Sequence, residues 1–259
     1  MATTRSIDTA STSDEIIFPE GDLWSDEPPL ESNLHLRQII LLIECLEWLW
    51  QEREDFFATG NLTIYYSPNQ KKSQDFRGPD FFVVLGTQRR LERRSWVVWQ
   101  EGGRYPNLIV EILSSSTAKV DKGEKKQIYQ DIFRTPNYFW FDPESLELAG
   151  FRLLEGKYQP IEPTEAGWLW SQELGLYLGV YKGQLRYFTS EGELVPTPEE
   201  YAKKVDQKAQ LAQKKVRELE QAQLGAISRL NQLGLTLEQI ADALSLSVEQ
   251  VREVLSNPD

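Results

Sequence analysis

The chain is 259 residues long, 40% hydrophobic, with 8 Trp, 10 Tyr and 11 Phe, a composition that buries a full core and excludes a disordered chain. No apolar stretch approaches the roughly 18 to 20 residues of a membrane span, and the first residues lack a signal core, so a cytosolic protein that does not meet the membrane is expected. The net charge of −12 argues against anionic partners only until it is located: residues 1–31 hold eight acidic residues against Arg5 alone, which is −7 of that total.

Residues 1–30, rich in Ser, Thr, Asp and Pro, read as an acidic, loosely structured leader. Residues 31–198 then form the domain of catalytic size. Its first element is a helix from Ser32, a fair N-cap, to about Arg53, with Ile39, Leu42, Ile43, Leu46, Leu49 and Trp50 at helical spacing. Cys45 belongs to this helix and, with no second cysteine to pair with, reads as a buried residue. Strands follow near 62–66, 81–85, 96–99 and 108–113, then a helix over 122–133 and a strand at 138–141. This order predicts an α/β protein with a three-layer α/β/α core, a mixed sheet with helices on both faces. From 146 to 195, turns at Gly156, Gly183 and Gly192 break aromatic and apolar runs and predict a β-hairpin extension of that sheet.

A long polar helix is expected over 199–225, where Val205, Ala212, Leu219 and Ala226 recur every seven residues as a weak coiled-coil seam. Residues 226–259 carry two capping boxes, Thr236 with Gln239 and Ser247 with Gln250, and predict a helix-turn-helix-like tail. Its second helix offers Glu249 and Glu253 against Arg252, which favours packing or protein contact over base reading. Self-association or a partner protein is therefore expected through residues 199–259.

The chemistry concentrates between Asp80 and Lys125. Glu111 interrupts the apolar run Leu108-Ile109-Val110-Glu111-Ile112-Leu113, and an unpaired carboxylate in a buried strand is costly. A bound cation, a lysine from a neighbouring element, or both would hold it. Asp80, after Gly78-Pro79, opens another apolar run, and two strands that each carry a carboxylate can place both on one divalent metal. Lys125 shares the face of Ile128 and Tyr129 on the following helix and is a candidate active-site cation, with a simple buried Lys-Glu pair as the alternative. Asp121 and Glu124 read as a capping pair at that helix's start, and Ile128, Tyr129, Ile132 and Phe133 as its buried face. Around Asp80, the basic residues Lys71, Lys72, Arg77, Arg89, Arg90, Arg93 and Arg94 form either a surface for phosphates or a solvated loop of mixed charge. His35 shares the face of Ile39 and Leu42 and reads as a core or near-site histidine ahead of a metal ligand; Glu31 is a second auxiliary candidate.

The segments Gly78-Pro79-Asp80, Pro106-Asn107 through Thr117, Asp121-Lys122-Gly123-Glu124-Lys125 with Tyr129, and Pro136-Asn137-Tyr138 resemble the Uma-two family of endonucleases, within the PD-(D/E)XK restriction-endonuclease-like superfamily. The resemblance extends over about residues 20–220. It implies a metal-dependent endonuclease acting on DNA, with Asp80, Glu111 and the backbone carbonyl of Ile112 on Mg²⁺, Mn²⁺ being able to substitute. It also implies that Lys125 stabilises charge or orients the attacking water, because Leu113 stands where the superfamily places its lysine. Ser115, Asn137 and Phe139 depart from the family pattern without removing a ligand. The competing expectation is a catalytically inactive module of the same fold that regulates or binds through its helical tail.

Overall fold

The computed structural model describes residues 32–66, 76–114 and 121–256, so Glu31, Lys71 and Lys72 lie outside the described residues. The chain divides into two compact units, Met1–Pro198 and Glu199–Asp259.

Helix α1, Asn33–Leu49, starts where Ser32 accepts a hydrogen bond from the His35 amide at 3.1 Å. It buries His35, Gln38, Ile39, Leu42, Cys45 and Leu46, which recur every three or four residues and define one face. The main sheet is built of β1 (Phe56–Gly60), β4 (Phe81–Leu85), β6 (Leu108–Ile112), β7 (Asn137–Phe141) and β8 (Leu148–Leu154), with β9 (Lys157–Pro160) at its edge. Their spatial order is β1-β4-β6-β7-β8-β9, and β6-β7 is the parallel pair. The helical segment that joins this pair, here α2, runs as Asp121–Lys125, Lys126–Ile128 and Tyr129–Phe133, its outer parts in wide π-helical turns. Strand β1 was absent from the sequence expectation, since Phe56-Phe57-Ala58-Thr59-Gly60 is short and abuts the helix; its full register against β4 supplies the reason it forms.

Both faces of the sheet are covered, which explains why β6 and β7 read as unbroken apolar runs. Leu108, Val110 and Ile112 pack with Phe81, Val83 and the α1 residues Ile39, Leu42 and Leu46. Ile109 and Leu113 pack with Phe82, Val84 and the α2 residues Tyr129 and Phe133. Burying each large apolar side chain contributes about 1.5–3 kcal/mol, so these two layers dominate the unit's stability. Trp96 is wholly buried in the second layer and donates its indole N–H to the Arg104 carbonyl at 2.8 Å, a core role.

The predicted hairpin extension divides in two. β8 and β9 extend the main sheet, whereas β10 (Leu169–Ser171), β11 (Leu176–Tyr181) and β12 (Gln184–Phe188) form a separate antiparallel sheet on the α1 side. Gln38 ties that sheet to α1 through paired 2.9 Å hydrogen bonds with the Leu185 backbone. A third small sheet joins β2 (Ile64–Tyr65), β3 (Phe76–Arg77) and β5 (Trp96–Val97).

In the second unit α3, Pro198–Gln232, runs 35 residues, past the expected end at 225. α4 (Leu237–Leu244) begins at the Thr236 and Gln239 capping box, and α5 (Val248–Ser256) follows reciprocal bonds between Ser247 and Gln250. Ile227 is buried with Ile240, Ala241 and Val251, so the last turns of α3 form a wall of the tail and the division expected at 225/226 falls inside a continuous helix. Among the described residues no helix is long and apolar enough to cross a membrane.

Candidate active site

Strand alternation places both carboxylates on one face. Glu111 is in phase with Ile109 and Leu113, and Asp80 with Phe82 and Val84, so both belong to the α2 side of the sheet. The β4-β6 register pairs Phe81 with Val110, and the residues just beyond, Asp80 and Glu111, meet: the Asp80 amide donates to Glu111 Oε2 at 3.3 Å. Asp80 Oδ2 accepts from the Ile112 amide at 2.7 Å, and Oδ1 lies 3.1 Å from His35 Nε2. The peptide nitrogen of Ile112 thus faces Asp80, while the next amide, Leu113, donates to Phe141 O in β7 at 2.7 Å.

From the helix, Lys125 Nζ lies 3.1 Å from Glu111 Oε2 and 2.9 Å from Asp121 Oδ1, and Tyr129 donates its hydroxyl to Glu111 Oε1 at 2.6 Å. Asp121, Lys125, Tyr129 and Phe133 stand four residues apart. In a regular α-helix that spacing drifts around the axis; the wider π turns hold more residues per turn and keep the four in one stripe facing the sheet. The same geometry turns Ile132 outward, 45% exposed, contrary to its expected place on the buried face. Asp121 and Glu124 do not act as the expected capping pair: Asp121 is buried against Lys125, and Glu124 pairs with Arg77 at 2.7 Å.

Glu111 is fully buried, whereas the side chains of Asp80 and Lys125 keep 15% and 18% exposure, so the site opens to solvent at those two groups. Burial pushes the Glu111 carboxyl well above the ordinary value; Lys125 opposes this, and Asp80 and Asp121 add to it. For Lys125, burial favours the neutral amine, but Glu111, Asp121 and Asp80 outweigh it and hold the pKa up, so the ammonium persists. Burial also acts to raise Asp80, yet its bond to His35 and the charges of His35 and Lys125 bring it below the ordinary value.

Among the described residues, no three His, Cys, Asp or Glu side chains form a metal-holding group. The Asp80 and Glu111 pair still suits a hard cation such as Mg²⁺, which takes one or two carboxylates and keeps several waters. Each of their oxygens has a partner but retains acceptor capacity, since a carboxylate offers about four lone-pair positions.

The basic residues separate on inspection of their partners. Arg93 is nearly buried, forked onto Glu101 at 2.7 and 3.1 Å and laid over Phe57 and Trp96. Arg90 shares Glu101, and Arg89 pairs with Glu47 of α1 at 3.0 Å. Arg94 is exposed. Much of the expected phosphate surface is therefore engaged in holding the loop to the domain, because Glu101 and Glu47 give these guanidinium groups acidic partners nearby. Arg77, paired with Glu124 in α2, is the member brought beside the helix that carries Lys125. The participation of Asp121 escaped the sequence reading; the four-residue spacing with Lys125 and Tyr129 was the signal for it.

Fold and site together define an α/β protein with an acidic pair, Glu111 buried and Asp80 partly exposed, backed by a lysine. The chain belongs to the family described as "Uma2: Putative restriction endonuclease", whose model matches residues 7–182. Among solved structures, it is similar to a "putative nuclease belonging to DUF820" from Anabaena variabilis, at 12% identity and a TM-score of 0.42, covering 57% of this chain and 76% of that one. No curated protein matches.

Proposed function

We propose that the chain is an endonuclease that hydrolyses phosphodiester bonds in DNA, with Mg²⁺ or Mn²⁺ held by Asp80, Glu111 and the Ile112 carbonyl. The observation that carries this reading is the meeting of Asp80 and Glu111 on one sheet face with Lys125 Nζ 3.1 Å from Glu111. When bound, such a cation activates water and offsets charge on the phosphate. The protein's own groups set the stage for that chemistry. Ile112 N–H and His35 fix the Asp80 carboxyl, Tyr129 fixes Glu111, and Asp121 keeps the Lys125 ammonium aimed at the acidic pair. Lys125, partly exposed and protonated, is the group that can meet a phosphate oxygen directly.

A second reading, a catalytically inactive module, is favoured by one observation: Lys125 already bridges Glu111 and Asp121, so Glu111 already has a cationic partner supplied by the protein. Purified protein incubated with single-stranded, duplex and branched DNA, and with RNA, with and without Mg²⁺ or Mn²⁺, separates the two. Cleavage of DNA that needs the metal and disappears in Lys125→Ala and Glu111→Gln is expected. Absence of cleavage on every substrate, together with no calorimetric binding of either metal, would favour the second reading.

A further inference from the structure

Helix α3 carries an apolar face that is exposed among the described residues. Every residue from Glu199 to Leu224 is exposed, although α3 is 35 residues long and helices in proteins usually owe their stability to a packed face. Val205, Ala209, Ala212, Val216 and Leu219 follow one another at spacings of four, three, four and three, the a and d positions of a heptad. Ala202 begins the seam and Gln223 is its one polar position, after which α3 turns Leu230 into the tail cluster. Val205, Val216 and Leu219 are 49%, 53% and 62% exposed. A 3.5-residue repeat over three heptads, 202 to 223, calls for a second helix winding around the first.

The flanking charges say which helix. In this frame the g positions hold Lys208 and Lys215, and the e positions hold Asp206, Gln213 and Glu220. In a parallel two-stranded coil g faces the partner's e five residues on, so Lys215 of each copy meets Glu220 of the other, and Lys208 meets Gln213. In an antiparallel pair g faces g and e faces e, and lysines would meet lysines while acids met acids. A β-branched Val216 at a with Leu219 at d is also the two-stranded preference, and a single polar a residue such as Gln223 fixes register. We infer that α3 forms a parallel, in-register coiled coil with α3 of a second copy of this chain. The inference stands on α3 alone and does not depend on the nuclease reading.

The test uses the full chain at moderate ionic strength. Sedimentation equilibrium over a concentration series should show a monomer-dimer equilibrium. Lys215→Glu and Glu220→Lys should each weaken it by about tenfold, by turning two exposed attractions into repulsions. The double variant should return to within about twofold of wild type, because Lys215 and Glu220 are five residues apart and do not pair along one helix. Separately, Val205→Cys and Leu219→Cys should each give a self-linked dimer on mild oxidation, since an in-register pair sets every d residue beside its own copy; Cys45, being buried, does not compete. A monomer at all concentrations overturns the inference, as does a dimer indifferent to the charge variants. Cross-linking at only one of the two cysteine positions also overturns it, since an antiparallel pair brings at most one residue to its own copy.

Discussion

Replacing Glu111 by Gln keeps the shape of the buried side chain and removes its charge. The amide oxygen can still accept from Lys125 and the Asp80 amide, now at 3.1 and 3.3 Å from Oε2, and the amide nitrogen can donate to the Tyr129 oxygen that lies 2.6 Å from Oε1. One amide hydrogen and the Tyr129 hydroxyl hydrogen are left without a partner, at about 1–3 kcal/mol each. Lys125 keeps Asp121 at 2.9 Å and is partly exposed, so it is not stranded. Against this loss, the carboxyl that burial holds well above its ordinary pKa no longer has to be ionised inside the protein, and each unit of such elevation is worth about 1.4 kcal/mol. The opposing terms are of similar size. The thermal midpoint of Glu111→Gln at neutral pH should hold or rise by a few degrees, at about 2–4 °C per kcal/mol for a unit of this length. Metal-dependent cleavage should fall by more than about a hundredfold, since losing an outer partner of a metal ligand alone costs about 10–100-fold. A raised carboxyl pKa means that the folded state binds the proton more tightly than the unfolded one. Wild-type stability in chelator should therefore decline as pH rises above 4.5, the ordinary value, through the folded pKa, and the variant should lose that slope. Thermal melts by circular dichroism between pH 4.5 and 8, with a plasmid-nicking assay, read both quantities. A variant that melts more than about 10 °C lower, in a protein whose wild type shows no response to metal, would refute the reasoning and make Glu111 a structural partner of Lys125.

Tyr129→Phe removes the hydroxyl bonded to Glu111 Oε1, and should lower stability by about 1–3 kcal/mol in urea melts and cleavage by about 10–100-fold. Gly60→Ala should destabilise by about 1–3 kcal/mol and reduce cleavage together. A Cβ there would meet Ile39 of α1 and come within 2.7 Å of the Asp80 carbonyl oxygen, so either the helix or the strand end bearing Asp80 must move. Deleting residues 199–259 should leave the melting of the first unit and its basal cleavage unchanged, since the proposed ligands all lie before it. Loss of cleavage from a truncated protein that stays folded would place substrate contacts in the tail. For the same truncation, light scattering should report loss of self-association.

The strands bearing the carboxylates were legible because Leu108–Ile112 and Phe81–Leu85 are apolar on both faces, and a carboxylate in or beside such a run stands out against its neighbours. Lys125 was legible from helical spacing. What spacing concealed was the departure from 3.6 residues per turn: a regular helix put Ile132 inward and left Asp121 as a cap, whereas the wide turns bring Asp121 into the acidic cluster and expose Ile132. Strand β1 was hidden because its stability comes from β4, a partner that local propensity cannot reveal. The sequence left the arginines open between a phosphate surface and a loop of mixed charge for a related reason. Arg93 and Glu101 are eight residues apart and find each other only after the loop folds, so a cluster of like charges in the sequence became a set of ion pairs.

The wide turns of α2 also make its length in residues as binding as its composition. Asp121 and Tyr129 contribute to the same cluster from opposite ends of a segment whose two π-helical turns accommodate extra backbone. Omitting one residue between them would let a turn revert to the regular form, and seven regular steps of about 100° fall within about 20° of two full turns, so Asp121 and Tyr129 would still share a face; an added residue finds no such slack and swings one side by about 100°. Side chains along the outer face, such as Gln127, can be exchanged with little consequence. Over a lineage, this segment would then accept many substitutions, and the loss of a residue at a wide turn more readily than the gain of one, a frame constraint imposed by geometry on a stretch that looks like an ordinary surface helix.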